Sequence, residues 1–571
     1  MARRYAPFLL LAATQLMLVA LVPSTGDRPA EVLAGGPGQY GGDYNADLGE
    51  AGGGESDPSA PGATVAAQGS KRTAAGQAGG RGAGGPAAHG PTTGGGEDKT
   101  AGVTSVAGED RSKCAPDGVR QQDVTLSSPP CVPRFTGDNG GATYQGVTRT
   151  SVRVLRYRPK SNAQVDAILR TQGLASSPEE EEHAAAAFAK FFEKRYELHG
   201  RKIEWITVQG TCEISPPDLA CFRDEVRRLN NQYKPFMVFW TNSTTQAEFF
   251  EQWSQLGVIN LGGWHFNADF NLSLRPYHYD LFMDGTRTAR NIADYWCKKM
   301  RGKPASLAGD PQLRVQTRKL GILTQDFPVT RKNALDLQRM VSGEVCGRPE
   351  DVADPVYTPS DIQRAQQTAN TAVQKLKDDG VTTLVIMSDP INPTFTTTAA
   401  TGQRWFPEHL LAGSGLIDYD VLGRLYDQSQ WVNAFGPGHL ADPIPFEQSD
   451  AAKAAADVGV TGIYSGANLL YAYMALAATQ LQMGGPFLTP ANVERETLSL
   501  PPSGGWERTG NPASILLKFG ANDYTLIEDS RHTYWSPNAV SKIDGKAGAY
   551  VALERGRRWE IGTWPAGEPK Q

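Results

Sequence analysis

The sequence predicts an α/β protein built as two lobes, each a series of strands alternating with helices. Two observations carry the prediction. Short apolar runs of strand length recur between longer amphipathic stretches, the pattern of repeated β-α-β units and a mostly parallel sheet. The alternation also occurs twice along one continuous chain, before and after the stretch Tyr277–Met300.

The first series opens with "VRVLRY" (Val152–Tyr157), read as a strand. "SSPEEEEHAAAAFAKFFEKRYELHG" reads as a long helix, with Ser177 at the N-cap, Pro178 in the first turn, acids at the positive end and Gly200 as the stop. "KIEWITVQG" is a strand, "ACFRDEVRRLNNQ" a helix and "FMVFW" a strand. "TTQAEFFEQWSQLG" is a helix in which Thr245 and Glu248 form a capping-box pattern. "VINLGG" is a fourth strand, and Tyr277–Met300 reads as another helix.

The second series begins with "KLGIL", a strand that ends in polar Thr324-Gln325-Asp326 before the helix "RKNALDLQRMVSG". "DPVYT" and "VTTLVIM" are strands around the long helix "DIQRAQQTANTAVQKLKDDG". "HLLAGSG" and "QWVNAFG" are later strands with their loops. "SGANLLYAYMALAATQLQMGG" is an apolar helix, and "LTPANVERETLSL" a helix capped by Thr489. The remainder, from "SILLKFG" to "EIGTW", reads as strand and turn.

The amino-terminal part has a different composition. Arg3 and Arg4 precede an apolar run from Ala6 to Val22, so residues 1–26 read as a secretory signal peptide or an uncleaved anchor. As a helix that run spans about 26 Å, just under a ~30 Å hydrocarbon core. Residues 27–113 are about a quarter Gly, with few large apolar side chains, and read as a disordered linker. Its reach is roughly 50 Å. The expected lobes are 114–285 (lobe 1), 286–455 (lobe 2), 456–508 (return to lobe 1) and 509–571 (lobe 2 strands and tail).

All six cysteines follow the linker: Cys114, Cys131, Cys212, Cys221, Cys297 and Cys346. An even count behind a secretory signal points to disulfides, and pairing of neighbours is the expectation. A net charge of −5 over 571 residues, with no long basic stripe, argues against a nucleic-acid partner.

The stretches "GVTRTSVRVLRY", "FFEKRYELHGRKIEWI", "RKLGILTQD", "VQKLKDDGVTTLVIMSD" and "WFPEHLLAGSGLIDYD" resemble the type I extracellular solute-binding proteins, the Leu/Ile/Val-binding family of ABC importers. The resemblance runs from about Gly146 to Trp564 and implies a periplasmic-binding-protein-like I fold. That means two Rossmann-like lobes joined by a three-segment hinge, with a ligand cleft between them. It implies capture of a small polar solute, such as a branched-chain amino acid or an amide, for delivery to an ABC permease. The alternative is a tethered extracellular sensory or interaction domain on the same fold.

Candidate ligand-binding residues follow from the loops after strands. In the resembling family, hydroxyls and amides after the third strand hold the ligand carboxylate, and Ser243 and Thr244 stand there. Trp264, His265 and Asn267 in "GGWHFNADF" would overhang the cleft. In "LTQDFPVTRKN", Phe327 takes the place of the family's usual Tyr, which removes a hydroxyl donor. "SDPINPTF" offers Asp389 and Asn392, and "GSGLIDYD" offers Ser414, Asp418 and Asp420; a carboxylate there could pair with a ligand amino group. No GxSxG, GxxxxGK[ST], GxGxxG after the first strand, or HExxH occurs, so the expectation is no enzyme, no cofactor and no metal.

Overall fold

The computed structural model describes residues 109–163, 166–167, 176–241, 246–346 and 348–569. The expected signal segment and nearly all of the linker lie outside these residues. Among the described residues no helix is long and apolar enough to cross a membrane. One-turn helices are left unnumbered below.

The first sheet collects β1 (Ser151–Arg158), β2 (Lys202–Gln209), β3 (Met237–Phe239), β4 (Ile259–Leu261) and β5 (His278–Tyr279). They lie in the order β2-β1-β3-β4-β5, all parallel. Helix α1 (Pro178–Arg195) begins at Ser177, whose hydroxyl accepts from the Glu180 amide while the Glu180 carboxylate accepts from the Ser177 amide. This reciprocal cap closes two of the orphan amides of a helix start. The helix buries Phe188, Phe191 and Phe192 against the sheet. Helices α2 (Leu219–Tyr233) and α3 (Ala247–Gln255) cover the opposite face, with Phe222, Phe249 and Trp253 inward. The short α4 (Ala268–Ser273) follows β4.

Two expectations are corrected here. Helix α1 stops at Arg195, not at Gly200: Tyr196 is already extended (φ −97°, ψ 149°) and its ring is buried, so the chain turns inward five residues early. Tyr277–Met300 is not one helix. His278 and Tyr279 pair with Asn260 and Leu261 as a fifth strand, and α5 (Gly285–Tyr295) begins only at the Asp284 cap. Period-2 pairing of two residues leaves almost no pattern in a sequence.

The second sheet holds β6 (Leu320–Gln325), β7 (Val356–Thr358), β8 (Thr383–Met387), β9 (Glu408–Leu410) and β10 (Ala434–Gly438) in the order β7-β6-β8-β9-β10, all parallel. That repeats the order of the first sheet. The antiparallel β11 (Asp529–Val540) then extends it, flanked by β12 (Ala547–Ala552) and β13 (Arg558–Glu560). Helix α5 and α6 (Pro328–Arg339) pack one face, with α7 (Ile362–Asp378) and α8 (Asn392–Gly402) on the other. Helix α8 was not expected. Its sequence, NPTFTTTAATG, has no clean apolar stripe and starts where Asp389 accepts from the Ile391 and Asn392 amides.

The chain crosses between the sheets three times. Helices α9 (Asp450–Asp457), α10 (Ala467–Met483) and α11 (Pro490–Leu498), and residues Phe519, Tyr524 and Ile527, belong to the first core. The return therefore begins before 455 and continues past 508, because Ala451, Ala454 and Ala455 pack against α1 and α10. The crossovers fall at Phe282–Gly285, His439–Asp442 and Ile527–Asp529. Two arginines stitch them. Arg558 donates to Asp529 Oδ1 (2.9 Å), His439 O (2.7 Å) and Leu440 O (2.8 Å). Arg287 pairs with Asp284 on one crossing and approaches Glu528 (3.7 Å) on another and Asp523 (3.3 Å) just before it.

All six cysteines are paired as neighbours: Cys114–Cys131, Cys212–Cys221 and Cys297–Cys346, with Cα separations of 5.4, 5.6 and 5.5 Å. These separations fall within the ordinary disulfide range.

Candidate ligand-binding cleft

In a doubly wound sheet the crevice beyond the carboxyl ends of the strands is where a ligand sits, at the point where strand order reverses. The structure brings two such edges face to face. From the first lobe come Trp264 and His265, after β4, and beyond the first crossover Thr288 follows on α5, which packs on the second sheet. From the second come Gln325 at the end of β6, Thr330 and Asn333 on α6, Met387 at the end of β8 with Ser388 after it, and Gly415 after β9.

The loop after β4 is strained. Gly262, Gly263, Trp264 and His265 all have positive φ (135°, 104°, 33° and 64°). A Cβ on Gly262 would lie 2.5 Å from the Trp240 carbonyl, and one on Gly263 would lie 2.5 Å from the Phe266 ring. Trp264 and His265 have no such freedom, and each costs of order 1–3 kcal/mol in this region. Side-chain bonds hold them there. Trp264 Nε1 donates to the Tyr473 hydroxyl (3.1 Å), which donates to Asp280 (2.8 Å). His265 Nδ1 donates to Met283 O at 2.7 Å. Burial lowers the His265 pKa to about 4, so its ring is neutral at pH 7 and Nε2 carries a lone pair. Burial also raises Asp280 to about 7.

The two rims touch. Asn333 Nδ2 donates to His265 O (2.8 Å), and Asn267 Nδ2 donates to Asp336 Oδ2 (3.0 Å). Lys332 pairs with Asp269 at 3.2 Å. Farther out, the Ser215 hydroxyl reaches Ser360 O (3.4 Å) and accepts from the Ile362 amide (3.3 Å). The space left inside, open to the centre of a water-sized sphere, is about 30 Å³. That holds water, and is far below the ~300–1,000 Å³ of a solute pocket. In this arrangement the two rims are in contact.

Of the residues singled out from sequence, Trp264 and His265 line the cavity. Ser243, Thr244 and the Thr245 cap lie outside the described residues. The others stand off the wall, each with a local task. Asn267 caps α4 through the Asp269 amide (3.0 Å) besides spanning the lobes. Phe327 is the half-buried N-cap position of α6. Asp389 caps α8 and holds the Gln325 amide, and burial keeps its carboxyl above the usual range. Asn392 donates to the Thr358 hydroxyl at 3.0 Å. Asp418 accepts from the Leu440 amide (2.9 Å) beside a crossover. Asp420 binds the Ser541 hydroxyl (2.7 Å) and the Tyr550 amide (2.9 Å). Of Ser414 only the backbone is described, as part of a one-turn helix.

Sequence reasoning missed Thr288, Gln325, Thr330, Asn333, Met387, Ser388 and Gly415. Gln325, Thr330 and Asn333 were in plain view within "LTQDFPVTRKN". The usable signal was position: Gln325 ends its strand, and Thr330 and Asn333 share one side of the next helix at i, i+3.

No protein-family model matches the chain, and no curated protein does. Solved structures are similar to it, and the first below shares its fold. The ABC transporter solute-binding protein of R. palustris, in complex with 4-hydroxybenzoate, is 12% identical, spans 72% of this chain and 98% of its own, and superposes with a TM-score of 0.50. A substrate-binding protein of an ABC transporter from Aeropyrum pernix is 9% identical over 72% of this chain and 96% of its own, with a TM-score of 0.49. A branched-chain amino acid transporter substrate-binding protein from Streptococcus pneumoniae, in complex with isoleucine, is 11% identical over 71% of this chain and 100% of its own, with a TM-score of 0.45.

Proposed function

We propose that the protein is an extracellular solute-binding protein that captures a small polar solute by closure of its lobes and delivers it to an ABC permease. The observation that carries the reading is the meeting of two strand-end rims around one cavity, with Trp264 and His265 opposite Gln325 and Asn333. Three crossovers give the geometry of a hinge, along which such lobes separate. The fold shared with the R. palustris protein supports the same reading by analogy. Among the described residues the wall shows no nucleophile–base pair: the Ser388 hydroxyl donates to Asp389 O (3.2 Å), and no hydroxyl or thiol donates to His265 Nε2. The site therefore grips and releases a solute without transforming it.

The test is a thermal-shift and small-angle scattering screen of the purified protein against amino acids, amides, amines and aromatic acids. A cognate solute raises the melting temperature by linkage and reduces the radius of gyration. Ser243→Ala combined with Trp264→Ala weakens that solute at least about tenfold, the loss expected for a hydrogen bond plus an aromatic wall. Unchanged affinity in the double variant overturns the placement of the site, and appearance of a chemical product overturns the function. The apolar run Ala6–Val22 supports a second reading, a tethered sensory domain. A mature chain released to the medium without that run excludes it.

A further inference from the structure

Each side-chain donor atom on the cavity wall already has an acceptor, and only the second hydrogens of the Asn333 and Gln325 amides are left over. Among the lining residues, Trp264 Nε1 donates to Tyr473, His265 Nδ1 and the Thr288 hydroxyl to Met283 O, and the Thr330 hydroxyl to Gln325 O (2.6 Å). Asn333 Nδ2 donates to His265 O, the Ser388 hydroxyl to Asp389 O, and Gln325 Nε2 to the Asp389 carboxylate. Every side-chain donor atom on the wall thus has an acceptor inside the protein.

The acceptors are in the opposite position. Gln325 is 4% exposed and its Oε1 has no partner among the described residues. Asp389 fixes the orientation of this amide by taking Nε2, which leaves Oε1 as the atom without a donor. A buried carbonyl left so costs about 1–3 kcal/mol until something donates to it. His265 is 8% exposed, and because Nδ1–H is spent on Met283 O, Nε2 is an acceptor that no described residue reaches. No Lys or Arg lines the cavity among the described residues, and the formal charge directly behind Gln325 is the Asp389 carboxylate. Trp264 adds an aromatic ring, which attracts cations.

We propose that the end of the solute seated in this cavity is a nitrogen head rich in hydrogen-bond donors, an ammonium or amidinium, and that Gln325 Oε1 and His265 Nε2 select it over a carboxylate. The inference rests on the solute-binding reading above and names the class of solute. A carboxylate brings only lone pairs and negative charge to a wall that already presents both. A donor-only head satisfies the two orphan acceptors and places its charge near Asp389 and the Trp264 ring.

Shape-matched probes test this on the full-length protein: benzylamine and benzamidine against benzoate and 4-hydroxybenzoate, and isobutylamine against isobutyrate. Binding is read by calorimetry, and closure by scattering. The amines or amidine bind and compact the protein, and the matched acids bind at least about tenfold more weakly. Gln325→Met and His265→Phe each cost the nitrogen probes about tenfold, and the melting temperature of each solute-free variant reports its folding separately. Acids that bind and compact the protein where amines do not overturn the donor-head proposal and leave the cleft reading standing. Amines whose affinity ignores both substitutions also overturn it. A protein that no probe compacts or stabilises overturns the proposal, and if the wider solute screen fails as well, the cleft reading falls with it.

Discussion

Asp280 shows how one buried carboxyl ties the aromatic wall to the hinge. Its Oδ1 accepts from the Tyr473 hydroxyl and from the Leu281 amide (2.7 Å), and its Oδ2 has no partner among the described residues. Desolvation raises its pKa to about 7. The folded state therefore keeps a proton that the unfolded chain releases near the ordinary value of 3.8. Stability from this group is complete below that value and is lost as pH rises toward 7, by about 4 kcal/mol in all. Asp280→Asn removes the titration. Relative to the native chain, the variant is therefore more stable at pH 8 than at pH 4, as read from urea midpoints at both pH values. A stability difference that does not change with pH shows that Asp280 ionises normally in the folded protein. His265, two residues after the Gly262-Gly263 pair, titrates with the opposite sign, so the native chain alone cannot separate the two groups.

Among the elements, those with long periodic patterns were the legible ones. Helix α1 was placed by Ser177, Pro178 and four glutamates, and the reciprocal cap with Glu180 is present. Ser177→Ala should lower stability by about 1 kcal/mol in chemical denaturation, and Ser177→Asn should restore most of it. Strands β6 and β8 were legible because burial on both faces leaves near-continuous apolar runs. The two-residue β5 and the threonine-rich α8 were not, because register with β4 and the Asp389 cap fix them, and neither writes a period into the sequence. The site was legible to the same degree. Trp264 and His265 stood out as an aromatic cluster after a glycine pair. Gln325 and Asn333 did not, since their roles depend on Asp389 and His265, which are 64 and 68 positions away along the chain.

For the molecule as a whole, the parts that meet across the cleft and the parts that join the lobes are different residues. Arg558 and Arg287 bind the crossovers to one another, whereas Asn267, Asn333 and Asp336 fasten the rims. Separation of the rims thus leaves the stitched crossovers intact, which is what a hinge requires. Gly285, the first residue of α5, lies beside the Asn333 side chain of the neighbouring α6, and a β-carbon there would overlap the Asn333 carboxamide. Gly285→Ala suits a helix intrinsically. Its methyl group nevertheless pushes the Asn333 carboxamide off His265 O and so unfastens the rims: the solute-free variant has a larger radius of gyration than the native chain, and cognate solute binds it several-fold more weakly. An unaltered radius and affinity show that Asn333 finds another seat. One missing carbon at a helix start therefore decides whether the jaws can shut or stand ajar.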